Sequence, residues 1–245
     1  MELALGFIIA VAIALTGVGA GSLTTPLLIL LLGLPPRECV GTALIFGAVV
    51  KLIAAPVYWA RGKVNWRALA YLLGGGLPGV LIGSFLLHGV RVNLVLAIVG
   101  FTIMLVALLN LLRFRARFQE KAGHDRPKWL GLIALPIGAE VGFSSAGSGA
   151  LGALALMSLT KLDASEVVGT DLCFGLALSL VGGGIHAALG TLNLPVLINL
   201  SIGGEAGALV GTMLASRMPS RQLRFALSIV LVLLGAQLCW KGIAG

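Results

Sequence analysis

Apolar residues run through the chain in long stretches, roughly 3–18, 23–34, 40–60, 68–87, 92–112, 130–144, 150–160, 167–189, 194–215 and 222–240. A helix needs about 20 apolar residues to cross a bilayer, so most of these stretches are long enough to span one. Two of them, 23–34 and 150–160, hold only 12 and 11 residues, about 17 Å of helix. That length suits a half-helix or re-entrant arm. The one sizeable polar stretch, 113–128, carries Arg113, Arg115, Arg117, Glu120, Lys121, His124, Asp125, Arg126 and Lys128. It reads as a linker between a first unit, 1–112, and a second, 129–245.

The two units repeat each other at an offset of 128 residues. Gly19-Ala20-Gly21 falls on Gly147-Ser148-Gly149, Val40-Gly41-Thr42 on Val168-Gly169-Thr170, and Gly62 and Asn65 on Gly190 and Asn193. Gly75-Gly76, Gly79 and Gly83 fall on Gly203-Gly204, Gly207 and Gly211. Without a gap, 25 of the 68 positions from 19 to 86 are identical to 147–214. Equivalent loops differ in charge. The loop at 61–67 holds Arg61, Lys63 and Arg67, whereas 189–195 holds no base; Arg91 stands alone in 88–91, whereas its counterpart carries Arg217, Arg221 and Arg224. Opposite charge bias places equivalent loops on opposite faces, so the repeat is expected to be inverted. Counting the short arms as partial crossings gives five segments per half and puts 13 basic residues on one face and three on the other. Cytoplasmic loops are enriched in Lys and Arg. Loops 61–67, 113–128 and 216–224 are therefore expected in the cytoplasm and both termini outside.

Composition narrows the class. The chain of 245 residues is 58% hydrophobic and 11% charged, against about 25% charged in soluble domains. The formal charge of +8 could suggest nucleic acid, but no extended soluble surface exists to hold a duplex, and the bases belong to loops beside a lipid bilayer. No basic segment precedes the first apolar run, which reads as a membrane segment rather than a cleaved leader. The 35 glycines lack a three-residue period, and the 75-79-83 and 203-207-211 series read as small-residue packing faces. Cys39, Cys173 and Cys239 form neither a disulfide framework nor a metal knuckle. ATP-binding, dinucleotide and metal motifs are absent, so neither cofactor nor metal is expected.

Inverted repeats with interrupted helices are the architecture of secondary transporters, which bind substrate near midplane at the repeat interface. The interruptions here are 17–22 and 144–149, each just before a short arm. Each would expose unpaired N–H groups at a helix N-terminus, which favour anions. Candidate anion-binding residues are Gly19, Gly21, Ser22 and Thr25 in the first copy and Gly147, Ser148 and Gly149 in the second. Lys51 stands ten residues before Arg61 and 13 after Glu38, too deep to snorkel out, and an ammonium there needs a cavity or a partner. Candidates for ion coupling are Glu140, Asp171, Glu205 and His186, since buried carboxylates and imidazoles can carry protons.

The paired Gly-x-Gly segments, Val-Gly-Thr at 40–42 and 168–170, Gly-Thr-Asp-Leu at 169–172, Gly62-Lys63-Val64-Asn65 with Gly190-Thr191-Leu192-Asn193, and Pro78-Gly79-x3-Gly83 resemble the sulfite-exporter TauE/SafE family. That resemblance covers essentially the whole chain. It implies gradient-driven movement of sulfite, sulfonates or related organosulfur anions across a bacterial or archaeal inner membrane. In the first copy Ala43 stands where the second has Asp171, so the acid's role is not symmetric.

The expectation is an all-α, polytopic membrane bundle of two inverted repeats with interrupted or half helices, some 8–10 membrane segments, working as an ion-coupled anion transporter and not an enzyme. Its partners would be the anion, the lipid bilayer and a second copy in a homo-oligomer. Two other classes compete with it: a passive anion channel, and a rhomboid-type intramembrane protease using Ser148 and His186.

Overall fold

The computed structural model describes every residue except 17–18, 116–126, 148, 216–219 and 245. Ten α-helices form it, with no strand among the described residues: α1 Glu2–Thr16, α2 Ala20–Leu31, α3 Pro36–Ala60, α4 Trp66–Gly89, α5 Val92–Arg115, α6 Trp129–Ser144, α7 Leu151–Leu159, α8 Ala164–Ala188, α9 Leu194–Ala215 and α10 Ser220–Ala244. The 128-residue offset is kept in the elements: α3, α4 and α5 begin at Pro36, Trp66 and Val92, and α8, α9 and α10 at Ala164, Leu194 and Ser220. Six helices are long and apolar enough to cross a membrane, namely α3, α4, α5, α8, α9 and α10. The apolar runs at 3–18 and 130–144 form helices of only 15 and 16 residues. With the short arms α2 and α7, of 12 and 9 residues, they make two broken segments.

Local chemistry starts and stops these helices. Asn65 caps α4 by accepting from Ala68 N–H at 3.0 Å, and its counterpart Asn193 accepts from Val196 N–H at 3.3 Å. Asp163 and Glu166 form a reciprocal capping box on α8, which satisfies two otherwise orphaned backbone donors. Gly62 and Gly190 take φ of +66° and +68° just after α3 and α8, a conformation open to glycine.

The helices are tied crosswise. The N–H of Asn65 donates to Thr170 Oγ1 at 2.9 Å, and that of Asn193 to Thr42 Oγ1 at 3.2 Å. So the start of α8 meets the end of α3, and the start of α3 meets the end of α8: the two equivalent helices run antiparallel. The same holds for α5 and α10, where Gly100 faces Gly235 and Cys239 while Gly242 faces Asn93 and Ala97. By contrast α1 runs alongside α9 in the same direction (Gly203 on Leu3, Gly207 on Phe7, Gly211 on Val11), as α6 does along α4 (Gly75 on Gly131, Gly79 on Leu135, Gly83 on Ala139). Each glycine in these two stripes receives backbone of the neighbouring helix where a Cβ would sit, so the stripes are packing faces, as expected.

These contacts fix two ends of the bundle. Glu2 accepts from Asn199 Nδ2 at 2.6 Å, so α1 begins at the end where α9 begins and α3 starts. A short link after α2 returns to that same end, which makes α1–α2 a hairpin entering and leaving on one side. The α6–α7 hairpin does the same from the opposite end, where Lys63 and Asp163 pair at 3.2 Å. We call these the near end, which holds both termini, and the far end. Arg61, Lys63, Arg67, Lys128 and Lys161 lie at the far end; Arg37, Arg91 and Lys241 lie at the near end. The cysteines are free thiols, Cys39 buried and Cys173 and Cys239 half-buried.

A candidate anion site where the hairpins meet

The tips of the two hairpins touch inside the bundle. Gly21, at the start of α2, packs so closely on Ser145 that a Cβ there would overlap the Ser145 carbonyl. One helical turn on, the Thr25 and Ser145 hydroxyls bond at 2.6 Å. Ser145 is left-handed (φ 63°), the only non-glycine with positive φ among the described residues, and serine holds that conformation at a cost. The strain sits where the two hairpins meet. Ser22 is fully buried and returns its hydroxyl to Gly19 O at 2.6 Å, and Gly19 is the residue preceding the first turn of α2. Of the sequence candidates, Gly19, Gly21, Ser22 and Thr25 thus lie at one tip and Gly147 and Gly149 at the other. Ser148 lies outside the described residues. Gly149 has a φ of 107°.

Lys51 reaches into the α3–α8 contact from one side of these tips. It is 6% exposed, and its Nζ donates to Ser179 Oγ at 3.0 Å and Gly175 O at 3.3 Å. Ser179 is its own counterpart in the repeat, so the pair meets where the two halves cross. Gly47, one turn earlier on α3, lies against Ala20 of α2. It carries Lys51 up to the N-terminal turn of that arm: a Cβ at residue 47 would be 3.2 Å from Ala20 Cβ and 3.9 Å from Lys51 Nζ. Asp171, Gly175 and Ser179 recur every four residues on one face of α8, so the buried Asp171 stands one turn below the Lys51 contacts and acts on its charge. Its Oδ1 also abuts Gly152 in the first turn of α7.

The remaining candidates separate. Glu140, on α6 one turn before the break, accepts from Ser144 Oγ and lies against Gly147, so it belongs to the second tip. His186 is fully buried; its Nδ1 and Nε2 are 2.9 Å from Thr191 Oγ1 and 3.4 Å from Gly142 O, and its ring faces His88 at 5.4 Å. It therefore adjoins α6 from the near end. Glu205 is exposed on the outward face of α9 and is not brought together with Lys51. Among the described residues no cluster of His, Cys, Asp or Glu could hold a metal.

Ser144 and Ser145 fell inside the 144–149 interruption but were not among its candidates, because an adjacent pair of serines in a glycine-rich stretch carries no further signal. The Val-Gly-Thr motifs, legible as repeats, prove to be locks: Thr42 and Thr170 accept from the opposite copy, and Gly41 and Gly169 admit the backbone of Thr191 and Lys63.

Known proteins match this chain over nearly its whole length. The family model described as "Sulfite exporter TauE/SafE" matches residues 2–238. The chain is 29% identical over 247 residues to the "Probable membrane transporter protein YjnA" of Bacillus subtilis (strain 168), covering 96% of this chain and 97% of that one. It is 25% identical over 248 residues to a "Probable membrane transporter protein" of Xylella fastidiosa (strain Temecula1 / ATCC 700964), covering 96% and 93%. A third relative, the "Probable membrane transporter protein YunE" of Bacillus subtilis (strain 168), is 25% identical, with 98% and 96% covered. No solved structure matches the chain.

Proposed function

The chain belongs to the sulfite exporter TauE/SafE family, and from that premise we propose that it is a secondary transporter moving small sulfur oxyanions, sulfite or a sulfonate, coupled to a proton gradient. The observation that carries this reading is a buried ammonium beside two re-entrant tips. A Lys at membrane depth costs roughly 3 kcal/mol or more unless it faces a cavity or a partner. Lys51 donates to Ser179 and Gly175, with Asp171 acting on its charge, and its ammonium beside the tips is a group that binds an anion. The first turns of α2 and α7 supply N–H groups of the kind that hold oxyanions. Asp171 and Glu140 stand next to this cradle and are the groups for proton coupling.

The antiparallel pairing of equivalent helices supports an inverted repeat with three full crossings and one hairpin per half. The excess of basic residues at the far end supports its placement in the cytoplasm, with both termini outside and the protein in the inner membrane. Alternating access would then be a rocking of one half against the other around tips that meet at the centre.

The test is flux in proteoliposomes loaded with sulfite or a small sulfonate under an imposed pH gradient. Uphill movement that follows the gradient and disappears in Lys51→Ala is the expected result. Downhill, pH-indifferent leakage would instead make the protein a channel, and retention of full uphill flux by Lys51→Ala would remove Lys51 from the site.

A further inference from the structure

The Glu140 carboxyl sits directly behind the tip of the α6–α7 hairpin. Ser144 Oγ donates to Oε1 and accepts from Ala146 N–H at 3.1 Å. The intervening residue, Ser145, bonds to Thr25 of the other hairpin. The second oxygen, Oε2, is sealed from solvent and completes no hydrogen bond among the described residues. It lies against the Cα of Gly147, where a Cβ would overlap it, and the Gly147 backbone and Thr102 hydroxyl adjoin the same carboxyl. The Ser144 hydroxyl of this turn is therefore already taken by a carboxyl that belongs to the protein, with the Gly147 backbone beside it.

We propose that the Glu140 carboxylate is an internal occupant of the anion cradle, competing with substrate for the donors of the 144–147 turn until a proton neutralises it. The proposal rests on the anion-transport reading above and deepens it. A charged carboxylate holds hydroxyl and N–H donors about twice as strongly as a neutral acceptor does, and it repels a second anion. Once protonated, it releases the turn and the repulsion vanishes. Proton and anion then raise each other's affinity by one and the same factor, which is what moving them together requires. The repeat counterpart of Glu140 is Ala12, so the first tip has no such competitor.

Other titratable groups on the helices packed against α6 must be separated from this effect. They are Arg67, Tyr71 and His88 on α4, Arg113 and Arg115 at the far end of α5, and Glu166, Asp171, Cys173 and His186 on α8. On α3 they are Arg37, Glu38, Cys39, Lys51 and Tyr58; α2 and α7 carry none. His186, on Gly142 O with His88 beside it, is nearest to the same stretch of α6, and Asp171 lies behind Gly152.

Two measurements on the purified full-length protein decide it. Hydrogen exchange across 141–151 without ligand should show less protection at low pH than at high pH in the wild type and no such change in Glu140→Gln. Ser144→Ala, which keeps the carboxyl, should lower protection at high pH toward the low-pH level. Calorimetric binding of methanesulfonate, whose own charge is constant over this range, should weaken about tenfold per pH unit above the carboxyl's titration. Glu140→Gln should bind at high pH as tightly as wild type does at low pH, and His186→Gln should keep the wild-type slope. A pH-dependent tip that persists in Glu140→Gln, or that is abolished by His186→Gln, would overturn the proposal. If the tip responds as expected but no form binds methanesulfonate, the switch stands and the sulfonate reading fails.

Discussion

At the scale of single residues, the buried cation beside the hairpin tips is one that its own repeat copy does not carry. Lys51 donates to Ser179, the residue that replaces it 128 positions later, so one copy supplies the cation and the other its anchor. Lys51→Ala is expected to cut transport at least tenfold with the fold intact, measured as flux beside an unchanged melting curve. Ser179→Ala, which frees the ammonium from one acceptor, should change the KM for the anion more than kcat. A second residue-scale prediction lies at the surface. The Glu166 backbone N–H, followed by the Ser165 hydroxyl and then Lys63, holds the Asp163 carboxyl down to about 2. Because the folded value is depressed, the stability from the charged cap is present above the ordinary value near 3.8 and is lost as pH falls through about 2. Asp163→Ala should therefore lower the melting temperature by the same amount throughout about pH 5 to 8.

At the scale of elements, glycine spacing decides which helices can lie together. Gly203 and Gly207 receive Leu3 and Phe7 backbone, and Gly79 and Gly83 receive Leu135 and Ala139 backbone, so each parallel pair is held at backbone contact. Gly207→Leu or Gly79→Leu must push a helix pair apart. Overpacking of this kind costs about 1–3 kcal/mol or more and should appear as reduced folded yield on size exclusion. The control is Gly74→Leu, which faces open space and should leave the yield unchanged. This packing was legible beforehand, because a stripe every four residues, present twice, has one economical explanation. The hairpins were only half legible. Their short arms showed as 12- and 11-residue runs, but the 16- and 15-residue runs at 3–18 and 130–144 were not set apart from the spanning ones, and only the helices they form, α1 and α6, pair with the arms as hairpins.

At the scale of the whole molecule, the pairing of antiparallel equivalents sorts loops to two ends, and the basic residues gather at one. In a background with Cys39, Cys173 and Cys239 replaced by alanine, a membrane-impermeant maleimide added to intact cells should label Leu189→Cys and spare Arg61→Cys. Equal labelling of both, or the reverse pattern, would refute the far end as cytoplasmic. The 128-residue offset and the two glycine breaks were legible in the sequence, since each is a property of local sequence compared with its own copy, and the charge asymmetry of equivalent loops is what led to the expected orientation that this labelling tests.

The helices, their interruptions, the repeat and the family resemblance could all be read along the chain, because apolar length, caps, glycines and loop charge act locally. Which polar groups share a site emerged only from the packing of distant segments. That packing joined Thr25 to Ser145, gave Lys51 its partners, set Glu140 behind the tip and left Glu205 facing outward. The physical reason is the solvent. In a bilayer the outward face of a helix is as apolar as its buried face, so the amphipathic stripe that betrays the inner face of a soluble helix is missing, and the facing of each acid is settled by contacts between segments far apart in the chain.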